Sequence, residues 1–244
     1  MSEIASQQNP RLKAVRRLHS KRERARRGVF LAEGEDLLAA ATRAGRPPLE
    51  GYRLAGCGLG GEDFHDVHRD ALASASTLGS STRVLAVYEQ RWGPAVGPLC
   101  VYLHGVTDPG NVGTVLRSAA AFGASCVALG PGCADPHGPK AVRASMGAIF
   151  EVPLARVSSA AELPGELIAL AAGEGDELAG PADLSASALT LLVGSERHGL
   201  PAEVLAACDR VAHIPIATES LNAAMATTVA LYEMTRRPSR VRSS

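Results

Sequence analysis

The sequence predicts an α/β fold with a mostly parallel sheet in its C-terminal part and a smaller α/β domain ahead of it. Short apolar runs alternate with helix-like segments, as in sheets whose parallel strands are joined by helices. Three polar turns also follow apolar strands. A stretch with two prolines, two glycines and no periodicity, Glu89–Pro98, interrupts the alternation, and we place the linker at 89–97. We therefore predict domains at 1–88 and 98–236, a linker between them, and a basic tail at 237–244.

Each predicted element rests on local pattern. Asn9-Pro10 starts a helix through the basic segment, with Leu12, Val15 and Leu18 as its buried positions. Further along the first domain, apolar runs and breakers predict strands at 29–32, 49–55 and 83–88 and helices at 36–44 and 63–75. In the second domain they predict strands at 99–106, 125–129, 149–155, 189–194 and 211–216 and helices at 114–122, 140–146, 160–172 and 201–207, before a last helix from Ser220.

Composition excludes several classes of protein. Hydrophobic residues make up 46% and charged residues 20% of the chain, which is typical of a globular protein with an ample core. No apolar run reaches the roughly 18 residues of a membrane span, and the N-terminus does not resemble a signal peptide. The five cysteines form no C-x-x-C pair, and His65 and His68 lack further ligands, so no metal site is expected. We expect a cytoplasmic protein with reduced thiols and no membrane partner.

Charge is unevenly distributed in a chain of zero net charge. Residues 11–27 hold nine basic side chains against one acid, Glu23, a net charge of +8. A solvated helix face is the alternative, but this density favours binding to a phosphate backbone. The candidate contacts are Arg22, Arg24, Arg26 and Arg27.

Three polar turns fall at predicted strand ends, where open α/β sheets bind ligands. They are Asp108–Arg117, Val193–Leu200 and the break before Ser220. Glycines in the first two allow close approach of the backbone, and the helix that follows the first favours an anion or another hydrogen-bond acceptor at its N-terminus. No Walker A loop and no G-x-G-x-x-G fingerprint is present, so neither a nucleotide triphosphate nor a Rossmann dinucleotide is supported.

The last helix has its own pattern. Ser220 is a suitable N-cap. Leu221, Met225, Val229 and Tyr232 fall on one helical face, and small side chains beside them permit close contact with another backbone. These small residues are Ala223, Ala224 and Ala226.

Together these segments resemble the SpoU (TrmH-like) branch of the SPOUT RNA methyltransferases. DPGNVGTVLRSAAAFG is similar to that family's first motif, LLVGSERHGL to its second and IPIATESLNAAMATTVALYE to its third. PKAVRASMGAIFEVPL resembles the segment that lies between the first two. The N-terminal NPRLKAVRRL and FLAEGEDLL are similar to a small substrate-binding domain often fused ahead of the catalytic one.

The resemblance implies S-adenosylmethionine-dependent 2′-O-methylation of a ribose in structured RNA, without a metal. It implies a C-terminal SPOUT domain with a deep trefoil knot, and a homodimer with the third-motif helix near its interface. The cofactor would be held largely through backbone groups, at positions Gly194, Glu196, Ile214, Ile216 and Leu221. Four residues separate Pro215 from Ser220, about two fewer than in many family members, so a tighter loop is expected there.

Catalytic roles are also implied by matching positions. Arg117 matches an arginine that binds RNA phosphate or assists the hydroxyl; because its pKa exceeds about 12, electrostatic positioning is favoured over proton removal. Other matching polar positions are Asn111, Glu196, Ser220 and Asn222. The structural alternatives are a turn conformation for Asn111, an ion pair for Arg117 and a helix cap for Ser220. For Ser195, Arg197 and His198 both kinds of role stay open.

Two rival classes are weighed against methyl transfer. A non-catalytic RNA-binding protein with this fold is opposed by the polar set of the motifs, and a nucleotide-dependent oxidoreductase by the missing glycine fingerprint. Within the family, ribosomal RNA is the expected substrate and transfer RNA the alternative.

Overall fold

The computed structural model describes residues 3–178, 187–218 and 220–236. The basic tail predicted at 237–244 lies outside the described residues. The chain divides into two compact units, Met1–Arg91 with Asp135–Glu151 and Trp92–Ala134 with Val152–Ser244. Residues 135–151, which the sequence analysis assigned to the second domain, thus belong to the first unit.

The elements follow in chain order. The first are α1 (Pro10–Arg17), α2 (Lys21–Arg27), β1 (Val29–Glu33), α3 (Glu35–Arg43), β2 (Glu50–Leu54), β3 (His65–Val67), α4 (Arg69–Ala75) and β4 (Val84–Glu89). Next come β5 (Leu99–Leu103), α5 (Pro109–Ala121), β6 (Cys126–Leu129) and α6 (Pro139–Ala144). The last are β7 (Leu154–Arg156), β8 (Glu166–Leu170), β9 (Asp176–Glu177), β10 (Leu189–Val193), α7 (Ala202–Leu205), β11 (Arg210–His213) and α8 (Ala223–Thr235).

The first unit is built on a four-stranded sheet in the order β1-β4-β2-β3. Its pairs are antiparallel except β2–β3, which is parallel. Leu12, Val15 and Leu18 are buried in the core of this unit, as predicted. The single helix predicted through the basic segment is instead two helices. Asn9 caps α1 by accepting from the Arg11 N–H, and α2 ends at Gly28 with a φ of 65°.

Arg24 differs from the other basic side chains because it is buried. Only 4% of it is exposed, and its Nε and Nη2 donate to the Asp135 carboxylate at 3.0 and 2.7 Å. Its Nη1 donates to the carbonyls of Leu18 and His19 at 2.7 and 2.9 Å. The prediction that Arg24 contacts RNA is therefore wrong: its guanidinium is used to hold α2 and the 135–151 segment in the first unit.

The same segment is also fixed by aromatic and polar contacts. Phe150 packs against Phe30 and Tyr88, with ring centroids 5.8 and 4.7 Å apart. Arg143 donates to the Thr77 hydroxyl at 2.7 Å, and Thr77 in turn donates to the buried carboxylate of Glu33 at 2.7 Å. Segment 135–151 is thus part of the core and the polar network of this unit.

The second unit contains a seven-stranded sheet in the order β7-β6-β5-β10-β8-β11-β9. Each recorded strand pair in it is parallel. The predicted α/β architecture with a mostly parallel sheet is confirmed. Because the strands are parallel, the loops that follow them emerge at one edge of the sheet, which is where all three motif turns lie.

One predicted helix of this unit is wrong. Residues 160–172 contain a short 3₁₀ helix, Ala160–Glu162, followed by strand β8 between β10 and β11. Leu167, Ile168 and Ala169 are all buried. A strand covered on both faces is a continuous apolar run, which periodicity does not separate from a buried helix. In the structure Gly165 has a φ of 70° and forms the turn that precedes the strand.

Among the described residues, no helix is long and apolar enough to cross a membrane, and no group of three or more His, Cys, Asp or Glu side chains could hold a metal ion.

We predict that Arg24→Ala destabilises the protein by about 3 kcal/mol, because Asp135 and two carbonyls lose their buried partner. Urea unfolding, followed by circular dichroism, measures the change. Arg22→Ala, on the exposed side of the same helix, is the matched control and should shift stability by less than about 0.5 kcal/mol. Equal effects of the two substitutions would contradict a structural role for Arg24.

Candidate active site

A cavity of about 330 Å³ opens at the carboxyl ends of β8, β10 and β11. All five residues predicted to bind the cofactor line it: Gly194, Glu196, Ile214, Ile216 and Leu221. Ser195, Arg197, His198 and Ser220 line it as well. The structure thus brings the second and third motifs to one cavity.

The turn of the second motif is shaped by close approach of backbone to backbone. Gly199 donates its N–H to the Ser195 carbonyl at 2.9 Å and has a φ of 62°. A Cβ on Gly194 would lie 2.1 Å from the Gly199 carbonyl carbon, so a side chain cannot be accommodated there. This turn therefore presents main-chain groups to the cavity.

Polar side chains of the three motifs form one hydrogen-bonded chain. Asn111, near the start of α5, donates from Nδ2 to Glu196 Oε1 at 2.5 Å. Its Oδ1 accepts from Asn222 Nδ2 at 3.1 Å. Asp108 caps α5 by accepting the Asn111 N–H at 3.1 Å. The first motif, expected as a turn through Asn111, is thus already helical from Pro109, and that helix places the amide between the other two motifs.

Asn222, not Ser220, caps the last helix. Its Oδ1 accepts from the N–H groups of Ala224 and Met225 at 3.0 and 3.3 Å, and α8 begins at Ala223. The predicted cap at Ser220 is wrong by two residues. Because one end of the Asn222 amide caps α8 and the other reaches Asn111, the start of the helix and the site are fixed by the same side chain.

Helix α8 packs on α5 through small side chains. Ala223, Ala224 and Ala230 are buried, and the Ser118 and Thr228 hydroxyls hydrogen-bond at 2.7 Å between the two helices. The apolar face noted in the sequence is turned outward. The exposed fractions are 58% for Met225, 42% for Val229 and 55% for Tyr232. The small side chains permit a close approach of the helices. The Tyr232 ring, although half exposed, still contacts Phe122 at the end of α5, with ring centroids 6.3 Å apart.

Arg117 stands apart from the hydrogen-bonded chain. It is exposed on α5, does not line the cavity, and has no hydrogen-bond or ion-pair partner in the part of the chain that the structure describes. It follows Asn111 by six residues, so at about 100° per residue the two side chains point roughly 120° apart. Arg117 therefore lies on a different side of α5 from the amide that contacts Glu196 and Asn222.

Several lining residues were missed by the sequence analysis. Leu170, Ala171, Ala172 and Glu174 reach the cavity from the end of β8 and the loop after it. They were missed because residues 160–172 were predicted to be a helix, so neither the end of β8 nor the loop after it was expected at the cavity. The Pro164-Gly165 turn shortly before the six-residue apolar run 167–172 was the available signal.

The carboxyl end of β5 carries a further polar pair. The Tyr102 hydroxyl lies 2.9 Å from His104 Nδ1, and burial raises the pKa of Tyr102 to about 12. Tyr102 therefore stays protonated at neutral pH and orients the imidazole of His104.

The remaining predicted RNA contacts lie on α2 of the other unit. Arg22, Arg26 and Arg27 are exposed. Arg26 forms an i,i+3 ion pair with Glu23 at 2.8 Å, and Arg27 donates to the Ala14 carbonyl at 3.3 Å. Exposed pairs of this kind are weak and leave the guanidinium available to a phosphate.

Comparison with known proteins gives the family. Residues 98–232 match the SpoU rRNA Methylase family. The chain belongs to this family. Residues 9–56 match an MRM3-like substrate binding domain.

Full-length relatives of this SpoU chain include the 23S rRNA (guanosine(2553)-2′-O)-methyltransferase RlmP of Bacillus subtilis, with 29% identity over 96% of this chain and 99% of the relative. An AdoMet-bound rRNA methyltransferase structure from Sinorhizobium meliloti has 30% identity and a TM-score of 0.82, covering 95% of this chain and 96% of its own. The SpoU methyltransferase AviRb of Streptomyces viridochromogenes, in complex with AdoMet, has 28% identity and a TM-score of 0.80, covering 93% and 97%.

We predict that the two functions of Asn222 in this SpoU fold can be separated. Asn222→Ala removes the cap and should cost about 1 kcal/mol of stability, whereas Asn222→Ser keeps a capping oxygen and should cost much less. Both remove the amide that donates to Asn111. Urea unfolding gives the stability, and methyl-transfer rates should fall alike in both variants. Full activity of Asn222→Ser would show that the bond to Asn111 is dispensable.

Proposed function

We propose that this protein transfers a methyl group from S-adenosylmethionine to a ribose 2′-hydroxyl of ribosomal RNA. The observation that carries the proposal is the hydrogen-bonded chain of Asn222, Asn111 and Glu196 beside a cavity that all the predicted cofactor residues line. Relatives named as rRNA 2′-O-methyltransferases support ribosomal RNA as the substrate. This substrate in turn supports a cytoplasmic location.

The cavity fits an adenosyl cofactor. Its volume lies within the range of roughly 300–1,000 Å³ typical of small-molecule sites. Leu170, Val193, Leu200, Ile214 and Leu221 supply apolar walls suited to an adenine ring. The turn from Gly194 to Gly199 supplies backbone groups, as expected where a cofactor is recognised through the main chain.

Bound S-adenosylmethionine supplies an electrophilic methyl group. The protein has to bring the ribose oxygen in line with it and to help the oxygen lose its proton. Asn111 holds the Glu196 carboxylate in place, and Asn222 fixes the orientation of the Asn111 amide. We propose that this fixed polar edge orients the substrate, with Ser220 at the rim of the cavity and Arg117 binding phosphate and steadying the developing negative charge on the oxygen.

We predict that Arg117→Ala lowers the single-turnover rate of methyl transfer about a hundredfold at saturating RNA, an effect of about 3 kcal/mol on the transition state. Arg117→Lys should recover little, because a point charge does not reproduce a planar fork of donors. Calorimetric binding of S-adenosylmethionine should be unchanged, since Arg117 does not line the cavity. Wild-type transfer rates in Arg117→Ala would remove it from the mechanism. Wild-type protein that neither binds the cofactor nor methylates ribosomal RNA would refute the proposed function.

RNA affinity is proposed for the first unit. Arg22, Arg26 and Arg27 are the exposed members of the predicted set, and the match to a substrate binding domain supports this location. Arg24 is not included because it is buried.

We predict that replacing Arg22, Arg26 and Arg27 together by Ala weakens RNA binding and lowers the slope of log affinity against log salt by about 2, because fewer counterions are released. Filter binding at several salt concentrations measures the slope, and cofactor affinity should not change. A control with the same charge loss replaces three exposed arginines elsewhere in the unit, Arg43, Arg69 and Arg91. Identical slopes for both triple variants would count against an α2 interface.

A homodimer is proposed through the outer face of α8. Met225, Val229 and Tyr232 form an exposed apolar stripe of the kind that protein interfaces cover. A trefoil knot is also proposed, because the resemblance to the SPOUT methyltransferases implies one; the strand order, with β10 inserted between the earlier strands β5 and β8, is compatible with it.

We predict that Val229→Glu weakens the dimer about a hundredfold, because it places a charge in an apolar interface. Sedimentation velocity at micromolar concentration distinguishes dimer from monomer. Leu49→Glu, which places the same charge at a 63%-exposed apolar residue of the first unit, should leave the dimer intact. A fully active wild-type monomer would refute the proposal.

A further inference from the structure

The loop between β8 and β9 brings a second carboxylate to the cavity. Glu174 and Glu196 both line it. Glu196 is already hydrogen-bonded to Asn111. Among the described residues, the Glu174 carboxylate has no hydrogen-bond or ion-pair partner. Of the two carboxylates in the cavity, that of Glu196 is part of the hydrogen-bonded chain with Asn111 and Asn222, whereas that of Glu174 is available to a ligand.

The backbone around Glu174 is held on both sides by β11. The Ala171 N–H donates to the Ala212 carbonyl at 2.9 Å, and β9 pairs with Ala212–His213. Gly175 has a φ of 72°, and a Cβ there would lie 2.0 Å from the Val211 carbonyl oxygen. His213 Nδ1 lies 3.2 Å from the Gly175 carbonyl oxygen. These main-chain contacts on both sides of Glu174 position it at the cavity.

We infer that Glu174 binds the 2′- and 3′-hydroxyls of the adenosyl ribose of the cofactor, an inference that rests on the proposed function. The apolar side chains of the cavity suit adenine, and Glu174 adds to the same lining a carboxylate that can accept from both ribose hydroxyls. A carboxylate has two oxygens that accept from neighbouring hydroxyls at once, which is how acidic residues recognise ribose in dinucleotide sites of unrelated fold. Glu174 is then a residue that selects ribonucleoside over deoxyribonucleoside cofactors.

The competing role for this carboxylate is attraction of the positive sulfonium. The two roles differ in which ligands they affect. S-adenosylhomocysteine retains the ribose but lacks the sulfonium charge, and its 2′,3′-dideoxy analogue lacks both. A ribose contact strengthens binding of S-adenosylmethionine and S-adenosylhomocysteine equally, whereas a charge contact strengthens only the first.

The test is calorimetric binding of these three ligands to the full-length wild type, Glu174→Gln and Glu177→Gln. Glu177 carries the same charge on β9, three residues on, and does not line the cavity, so its variant is the matched control. Glu174→Gln should bind S-adenosylmethionine and S-adenosylhomocysteine about tenfold to thirtyfold more weakly than wild type, the usual effect of losing charge-assisted hydrogen bonds. Glu177→Gln should match wild type. The dideoxy analogue should bind wild type and Glu174→Gln equally.

Three outcomes would overturn the inference. Unchanged affinities in Glu174→Gln would remove Glu174 from the site while leaving the proposed function standing. A loss for S-adenosylmethionine alone would assign Glu174 to the sulfonium charge. Wild-type protein that binds none of the three ligands would overturn the proposed function, and this inference with it.

Discussion

The side-chain amide of Asn111 is the group on which the arrangement of the site depends. An amide donates through its nitrogen and accepts through its oxygen, so one side chain can join two others. Asn111 donates to Glu196, 85 residues away, and accepts from Asn222, 111 residues away. A carboxylate at this position would only accept and a lysine would only donate. Asn111 can therefore connect three segments that are distant in sequence, because its amide both donates and accepts. Its own position is fixed by the Asp108 cap of α5.

The packing of α5 and α8 follows from the same connection. Asn222 fixes the first turn of α8 relative to the first turn of α5, and the Ser118–Thr228 hydrogen bond fixes the helices further along. Ala223, Ala224 and Ala230 are among the buried residues of α8, and small side chains permit the two helices to lie close together. Leu231 and Met234 are buried, whereas Met225, Val229 and Tyr232 lie on the exposed side of α8. An exposed stripe of this kind costs solubility unless it is covered, which is why the geometry of the site and the proposed dimer are connected.

Local pattern predicted the cavity better than it predicted individual roles. The pattern placed three polar turns at strand ends, and a parallel sheet brings strand ends to one edge whatever the details of packing. The five individual cofactor positions came from the resemblance to the family and not from the pattern. The cap of α8 could not be placed because Ser220 and Asn222 are both capable caps two residues apart. Strand β8 was mistaken for a helix because burial on both faces removes its alternation. The burial of Arg24 depends on Asp135, 111 residues away, which no charge run reveals.

Arg117 connects the proposed methyl transfer with the proposed homodimer. Its side chain points about 120° away from Asn111 around α5, and it does not line the cavity of its own chain. A role in methyl transfer then requires that the substrate wraps around α5 or that a second copy presents its own Arg117. The exposed face of α8, the helix that packs directly on α5, is where a second copy would dock. We propose that assembly completes the active site, which would give the exposed Arg117 its role, and that the exposed apolar stripe of α8 supplies the contact surface.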